Sequence, residues 1–254
     1  ITGDNYGHLS LFTGEGSRNY THRQTKCVTP QRQAISKLIV STPIGMDRDD
    51  VLVIANGLGI AKCSVLSPLD SPAIGEFNVI MDQIHPVTLV STCDEAGIVM
   101  AYAKGQKRMI ILDLLQCDGI SRQRPTDLQV PREPFALSLH PGGRKVLIGY
   151  NDSVILYNIV EGTHTRLMQG ARFVLQDKRE STQLVLRWSN GGHMFAIAKN
   201  TNLSLHHSVW HTPICALPPP TGVDAGKITD LQFSPDDLLI TRVDANGVIA
   251  TWDI

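Results

Sequence analysis

Aromatic residues are scarce in this sequence, at 6% of the chain, although hydrophobic residues together reach 42%. The core is therefore aliphatic, and 254 residues fall within the range of one all-β or repeat domain. No stretch approaches the roughly 18 consecutive apolar residues needed to span a bilayer, and no signal-peptide pattern opens the chain. These absences argue against a membrane location. The five cysteines, Cys27, Cys63, Cys93, Cys117 and Cys215, are odd in number and show no CxxC spacing. That usage points to a reducing, cytoplasmic compartment and away from zinc. A net charge of −1 provides no global field for nucleic acid or anionic membrane. GxSxG, P-loop, HExxH and strand–helix GxGxxG patterns are also missing. No catalytic residue, cofactor, metal or small-molecule substrate is expected, and the chain does not read as an enzyme. The chain starts in mid-motif at Ile1, without an initiator Met, and reads as a fragment of a longer protein.

What is present is clearest near the end, from Lys227 to Ile254. Ile228, Asp230 and Gln232 alternate with Thr229, Leu231 and Phe233, the period of a half-buried strand. Ser234-Pro235-Asp236-Asp237 is a turn, with Pro presetting φ and Asp bonding local N–H groups. Leu238 to Val243 follows as a strand, Asp244-Ala245-Asn246-Gly247 turns again, and Val248 to Ile254 ends in Trp252-Asp253. Such a meander cannot bury both faces alone and requires stacked neighbours.

Earlier segments repeat this pattern. The position of Trp252 is held by Phe12, Ser64, Tyr102, Tyr157 and His206, at intervals of 52, 38, 55, 49 and 46 residues. Seventeen or eighteen residues before the anchor lies a turn: His85-Pro86, His140-Pro141, Ser189-Asn190 or Ser234-Pro235. Eight residues before it lies Asp4, Asn56, Asp94 or Asp244, each opening a D/N-x-x-G turn. First strands are read at 80–85, 135–140 and 184–189, and Met109 to Leu115 as a linking strand. Five complete four-stranded repeats result, plus part of another. Gly142-Gly143 and Gly191-Gly192 are turn glycines rather than phosphate cradles. Residues 14–33, 67–76, 117–134 and 218–226 read as irregular loops in a single domain, 1–254. The first of these carries Arg18, Arg23, Lys26 and Arg32, a local basic excess.

Candidate side chains are few. Asp4, Asn56, Asp94 and Asp244 recur at one offset in several units, while the fourth and fifth repeats keep a turn there without the pattern; an active site is not repeated from blade to blade, so they read as turn-stabilising acceptors. His206, His207 and His211 lie close in sequence, but His206 holds the anchor position and adjacent strand residues face opposite ways. No metal site is expected from them. Trp188 and Trp252 read as packed. Trp210 is the best candidate for a partner-binding anchor, with His211 beside it.

The D-x-x-G turns, the alternating strands and Trp252-Asp253 resemble the WD-repeat family of β-propellers over essentially the whole chain. The Gly-His pair of that family is missing from every unit. More narrowly, Phe135 to Ile159 and Trp188 to Ala196 are similar to the cilia- and flagella-associated multi-propeller WD-repeat proteins. Those have a "His-Pro-x-Gly … valine-Gly-Phe-x-Asp" blade followed by a "Phe-Ser-x-Gly-Gly" blade, which Ile148-Gly149-Tyr150-Asn151-Asp152 nearly matches. The resemblance implies a non-enzymatic scaffold of the ciliary axoneme whose partners are dynein, regulatory complexes or tubulin. The alternative reading is a nucleic-acid or ribosome-biogenesis platform, for which the basic excess at 14–33 is the only support.

Overall fold

The computed structural model describes residues 1–15, 19–28, 32–41, 48–55, 59–66, 73–81, 87–93, 97–103, 108–113, 126–161, 165–175 and 183–254. They form six antiparallel sheets in which strands pair in chain order. The first sheet contains β1 (Thr2–Gly3), β2 (His8–Glu15) and β3 (Asn19–Cys27). The second contains β4 (Ile35–Ser41), β5 (Arg48–Ala55), β6 (Gly59–Leu66) and β7 (Ala73–Met81). The third contains β8 (Val87–Cys93), β9 (Ile98–Ala103), β10 (Arg108–Asp113) and β11 (Thr126–Gln129). The fourth contains β12 (Ala136–Leu139), β13 (Lys145–Gly149), β14 (Ser153–Val160) and β15 (Arg166–Val174). The fifth contains β16 (Leu184–Trp188), β17 (Met194–Lys199), β18 (Asn202–His207) and β19 (Pro213–Leu217). The sixth contains β20 (Ile228–Phe233), β21 (Leu239–Asp244) and β22 (Ile249–Asp253).

The chain divides into two compact units, residues 1–88 with 97–129 and residues 89–96 with 130–254. In the first unit Leu9, Leu11, Val28, Val51, Val53 and Ile74 form a buried cluster. Two side-chain bonds join its outermost strands: Gln24 accepts from the Ile74 N–H at 2.9 Å, and Lys26 donates to the Gly75 carbonyl at 2.8 Å.

In the second unit β16 packs beside β12 on one side and β20 on the other. Leu184, Leu186 and Trp188 alternate inward along β16, and with Leu147, Leu156, Phe195 and Ile197 they fill the space between the fourth and fifth sheets. Leu203, Leu205, Leu231, Phe233 and Ile240 do the same between the fifth and sixth. Every residue of β17 is buried, and its Met-Phe-Ala-Ile-Ala run is correspondingly continuous rather than alternating. Gly149 marks a close approach: a Cβ there would lie 2.3 Å from Cδ2 of Leu184.

Several sequence expectations need correction. Residues 14–33 are not a loop, since β2 runs to Glu15 and β3 occupies nine of these residues. Region 67–76 contains the start of β7, and 117–134 contains β11. Ile80 and Met81, read as opening a repeat, close β7, where Met81 pairs with Ile60; residues 82–85 lie outside the described residues. The physical reason is common to these segments. An outermost strand such as β3, Asn-Tyr-Thr-His-Arg-Gln-Thr-Lys-Cys, covers little core and is mostly exposed, so no apolar period marks it. Backbone pairing to β2 makes it a strand. Residues 218–226 contain no strand.

Candidate protein-docking site

Three successive turns at one end of the second unit share one geometry. The N–H groups of Gly143, Gly192 and Asp237 each donate to the carbonyl three residues earlier, on His140, Ser189 and Ser234. All three adopt positive φ, at 69°, 69° and 58°. Glycine tolerates this region freely, and Asp is among the few side chains that visit it. Asp237 thus stands where the two preceding turns have glycine.

Its side chain explains the exchange. The Asp237 carboxylate is buried and accepts from the backbone N–H of Asn190 at 2.7 Å, its side-chain amide at 2.9 Å and the Gly191 N–H at 2.7 Å. Two successive N–H groups closing on one carboxylate form a backbone nest. On the other side of the same turn, His140 reaches Gly192. Its Nδ1 accepts from the Gly142 N–H at 2.8 Å and its Nε2 donates to the Gly192 carbonyl at 3.1 Å, which specifies the neutral Nε2–H tautomer. The imidazole also packs edge-on against Trp188 at 4.6 Å, and Trp188 donates its indole N–H to the Ser138 carbonyl. The turn of the fifth sheet is therefore clamped to both neighbours.

On this base stands the tip of the β18–β19 hairpin. The Ser208 N–H donates to the His193 carbonyl at 3.0 Å, tying the tip to the clamped turn. Val209 and Trp210 donate their backbone N–H groups to His207 Nδ1 at 3.1 and 3.4 Å. The Trp210 indole lies over the His207 ring at 4.4 Å, tilted by 21°. Trp210 is 74% exposed and Val209 63%. The tip therefore presents a large aromatic whose loop is already ordered, which lowers the entropy cost of using it as a binding anchor.

His206 points into the sheet stack. Its ring stacks on Phe195 at 5.3 Å and meets Phe173 edge-on at 5.1 Å. Ser204 bonds its Nε2 at 3.0 Å, while its buried Nδ1 has no partner among the described residues. Burial holds its pKa below the usual histidine value. His211, at φ +58°, is also lowered, by burial and then by the nearby charge of Lys145. Among the described residues, no group of three His, Cys, Asp or Glu side chains is placed to hold a metal.

Comparison with protein-family models returns no match, and comparison with curated proteins returns none either. Solved structures do match. The β-propeller domain of Cps50 (Swd1) from Myceliophteria thermophila is 14% identical with a TM-score of 0.58, covering 87% of this chain and 68% of that one. The Dos1 propeller is 12% identical at 0.69, covering 99% and 64%. A protein of unknown function from Desulfotomaculum acetoxidans is 9% identical at 0.65, covering 99% and 77%. The fold is that of a β-propeller. Each sheet of the described residues corresponds to a blade.

The D-x-x-G turns at Asp4 and Asp244 join β1 to β2 and β21 to β22. Asp4 accepts from the N–H groups of Tyr6 and His8, both at 2.8 Å. Asp244 accepts from those of Asn246 and Val248, both at 3.0 Å. Each turn closes on a positive-φ glycine, Gly7 or Gly247, both at 77°. The Asp partners differ. Asp4 bonds the His8 ring, whereas Asp244 bonds the Gly226 N–H and Arg242 Nη2, both at 2.9 Å. Burial pushes the Asp244 carboxyl up, but the Val248 N–H and the Arg242 guanidinium outweigh it and hold the group below the ordinary carboxylate range. Arg242 is 1% exposed and also donates to the Thr201 carbonyl of the preceding blade.

Among the anchor positions, Tyr102 and Tyr157 are buried and Trp252 is half-buried against the core of the last two blades. Phe12 sits at a bulge, is 37% exposed and meets His22 edge-on. Ser64 lies in β6. Asn56, Asp94 and Arg18 lie outside the described residues. Arg23 donates to Thr13 Oγ1 at 2.6 Å, Lys26 is bonded to Gly75, and Arg32 is exposed at φ +51°. Sequence reading missed the Asp237 clamp. Its only trace is Ser-Pro-Asp-Asp standing where earlier copies have His-Pro-Gly-Gly and Ser-Asn-Gly-Gly.

Proposed function

We propose that this chain is a non-enzymatic protein-docking platform, and that Trp210 with Val209 and His211 forms one of its contact points. The observation that carries the proposal is the pre-ordered, 74% exposed indole on a hairpin tip tied to a turn that is clamped from both sides. A large aromatic side chain held in place before binding is the kind of group that anchors protein interfaces. A nucleic-acid platform is disfavoured because Arg23 and Lys26, half of the basic excess that suggested it, are engaged within their own unit.

Within this role we place the chain in the ciliary axoneme, docking dynein, regulatory complexes or tubulin. The support is the resemblance of residues 135–159 and 188–196 to that group of propellers. The test is affinity purification from ciliated cells with the wild type and Trp210→Ala. Axonemal proteins recovered with the wild type and lost with the variant are expected. Ribosomal RNA without axonemal protein, or identical recovery with both, overturns the proposal.

A further inference from the structure

We infer that the Trp210 hairpin takes an acidic peptide segment carrying one apolar side chain. This rests on the docking role proposed above and names the chemistry of its partner.

The argument begins with the charges at that blade end. His211, the residue after Trp210, meets Phe173 of the fourth blade at 6.4 Å between ring centroids, and Lys145 of that blade is close enough for its charge to act on it. Arg144 precedes Lys145 and is exposed, and its carbonyl accepts from the Ile159 N–H at the end of β14. The register of β14 with β15 sets exposed Arg166 opposite Val160, at the same end of the same blade. Glu161 is the single carboxylate among the described residues of that end of the fourth blade; beyond the fifth blade, Asp236 is exposed and bonded within its own turn to Ser234 and the Leu238 N–H. Neither Arg144 nor Lys145 is ion-paired among the described residues, in contrast to Arg132, Arg172 and Arg187, which pair with Asp152 or Asp230. Asp237, across the fifth blade, is consumed by Asn190 and Gly191.

The hairpin itself adds donors. With Nδ1 accepting two backbone N–H groups, the neutral His207 ring carries its proton on Nε2. The Trp210 indole N–H has no acceptor among the described residues. An apolar indole face, two polar N–H groups and unpaired cations on one flank match a segment of acceptors around one apolar group. A basic segment would meet like charge.

The test is selection of a random peptide display library on the full chain at low salt. Selected peptides are then synthesised and their binding is measured by fluorescence anisotropy. Enrichment of Asp and Glu around a single apolar residue is expected. Binding should weaken about tenfold or more in Trp210→Ala. It should weaken about tenfold in Arg144→Glu with Lys145→Glu, less in the milder Gln pair, and again between 0.05 and 0.5 M salt, roughly the range over which surface charges become screened. Neutral or basic peptides that still require Trp210 overturn the inference and leave the docking role standing. Peptides indifferent to Trp210→Ala, or none selected at all, overturn both.

Discussion

Replacing Gly192 with Ala separates two costs that are usually confounded. Gly192 has φ +69°, and a Cβ there would lie 2.3 Å from Nε2 and 2.6 Å from Cε1 of His140. Gly247 has φ +77° with nothing within 4 Å of its would-be Cβ. Gly247→Ala therefore carries only the left-handed backbone cost, roughly 1–2 kcal/mol for a residue with a Cβ. Gly192→Ala carries that cost plus an overpacking cost of about 1–3 kcal/mol. The imidazole cannot swing away cheaply, because both nitrogens are bonded and the ring abuts Trp188. The total for Gly192→Ala is roughly 2–5 kcal/mol. All three tryptophans, Trp188, Trp210 and Trp252, lie in the second unit, so denaturant unfolding followed by their fluorescence reports on that unit. Gly192→Ala is expected to lose about 1–3 kcal/mol more than Gly247→Ala. In a His140→Ala background, which removes the obstructing ring, that excess is expected to vanish. Equal losses for the two glycine variants, or an excess that persists without His140, would refute the clamp as described.

Three further outcomes are expected. Asp237→Asn keeps a side chain tolerant of positive φ but turns one acceptor into a donor facing N–H groups, and is expected to cost about 2–4 kcal/mol in the same assay, given roughly 1.5–3 kcal/mol per charge-assisted bond; a loss below about 0.5 kcal/mol would contradict the nest. His206 has a folded pKa below its unfolded value of 6.5, so the unfolded chain binds the extra proton and stability falls as pH drops through 6.5 toward that lowered value. His206→Phe is expected to flatten this acid limb, seen by comparing unfolding midpoints at about pH 7.5 and 5, and an unchanged limb would exclude His206 as its source. Asp152 is held at about 2, chiefly by its bond to Arg132 at 2.5 Å. Its contribution to stability is present above the unfolded value of 3.8 and is lost as pH falls through about 2. Arg132→Ala is expected to bring its carboxyl titration, followed by NMR, back toward the ordinary range, and no movement would show that Arg172 suffices.

The strand alternation of Lys227 to Ile254, its spaced echoes upstream and the D-x-x-G turns made the architecture legible in one dimension. Each of these features is local: a two-residue period, a turn that needs positive φ, an Asp that bonds N–H groups two and four residues ahead. Asp4 and Asp244 make those bonds within their own turns, so sequence spacing carries the information. The outermost strands were not legible, because β3 and β11 are specified by a partner strand rather than by an apolar face of their own. The clamp was not legible either. Asp237 meets Asn190 across 47 residues and His140 meets Gly192 across 52, and no period in the chain predicts which blade turn a side chain will face. By itself the sequence determined the repeat, the turns and the all-β class. Tertiary stacking alone decided that the fifth blade's turn is held from both sides, and that the Trp210 hairpin stands on it with its indole in solvent. Side-chain bonds between blades exist only once each sheet has buried its faces against the next.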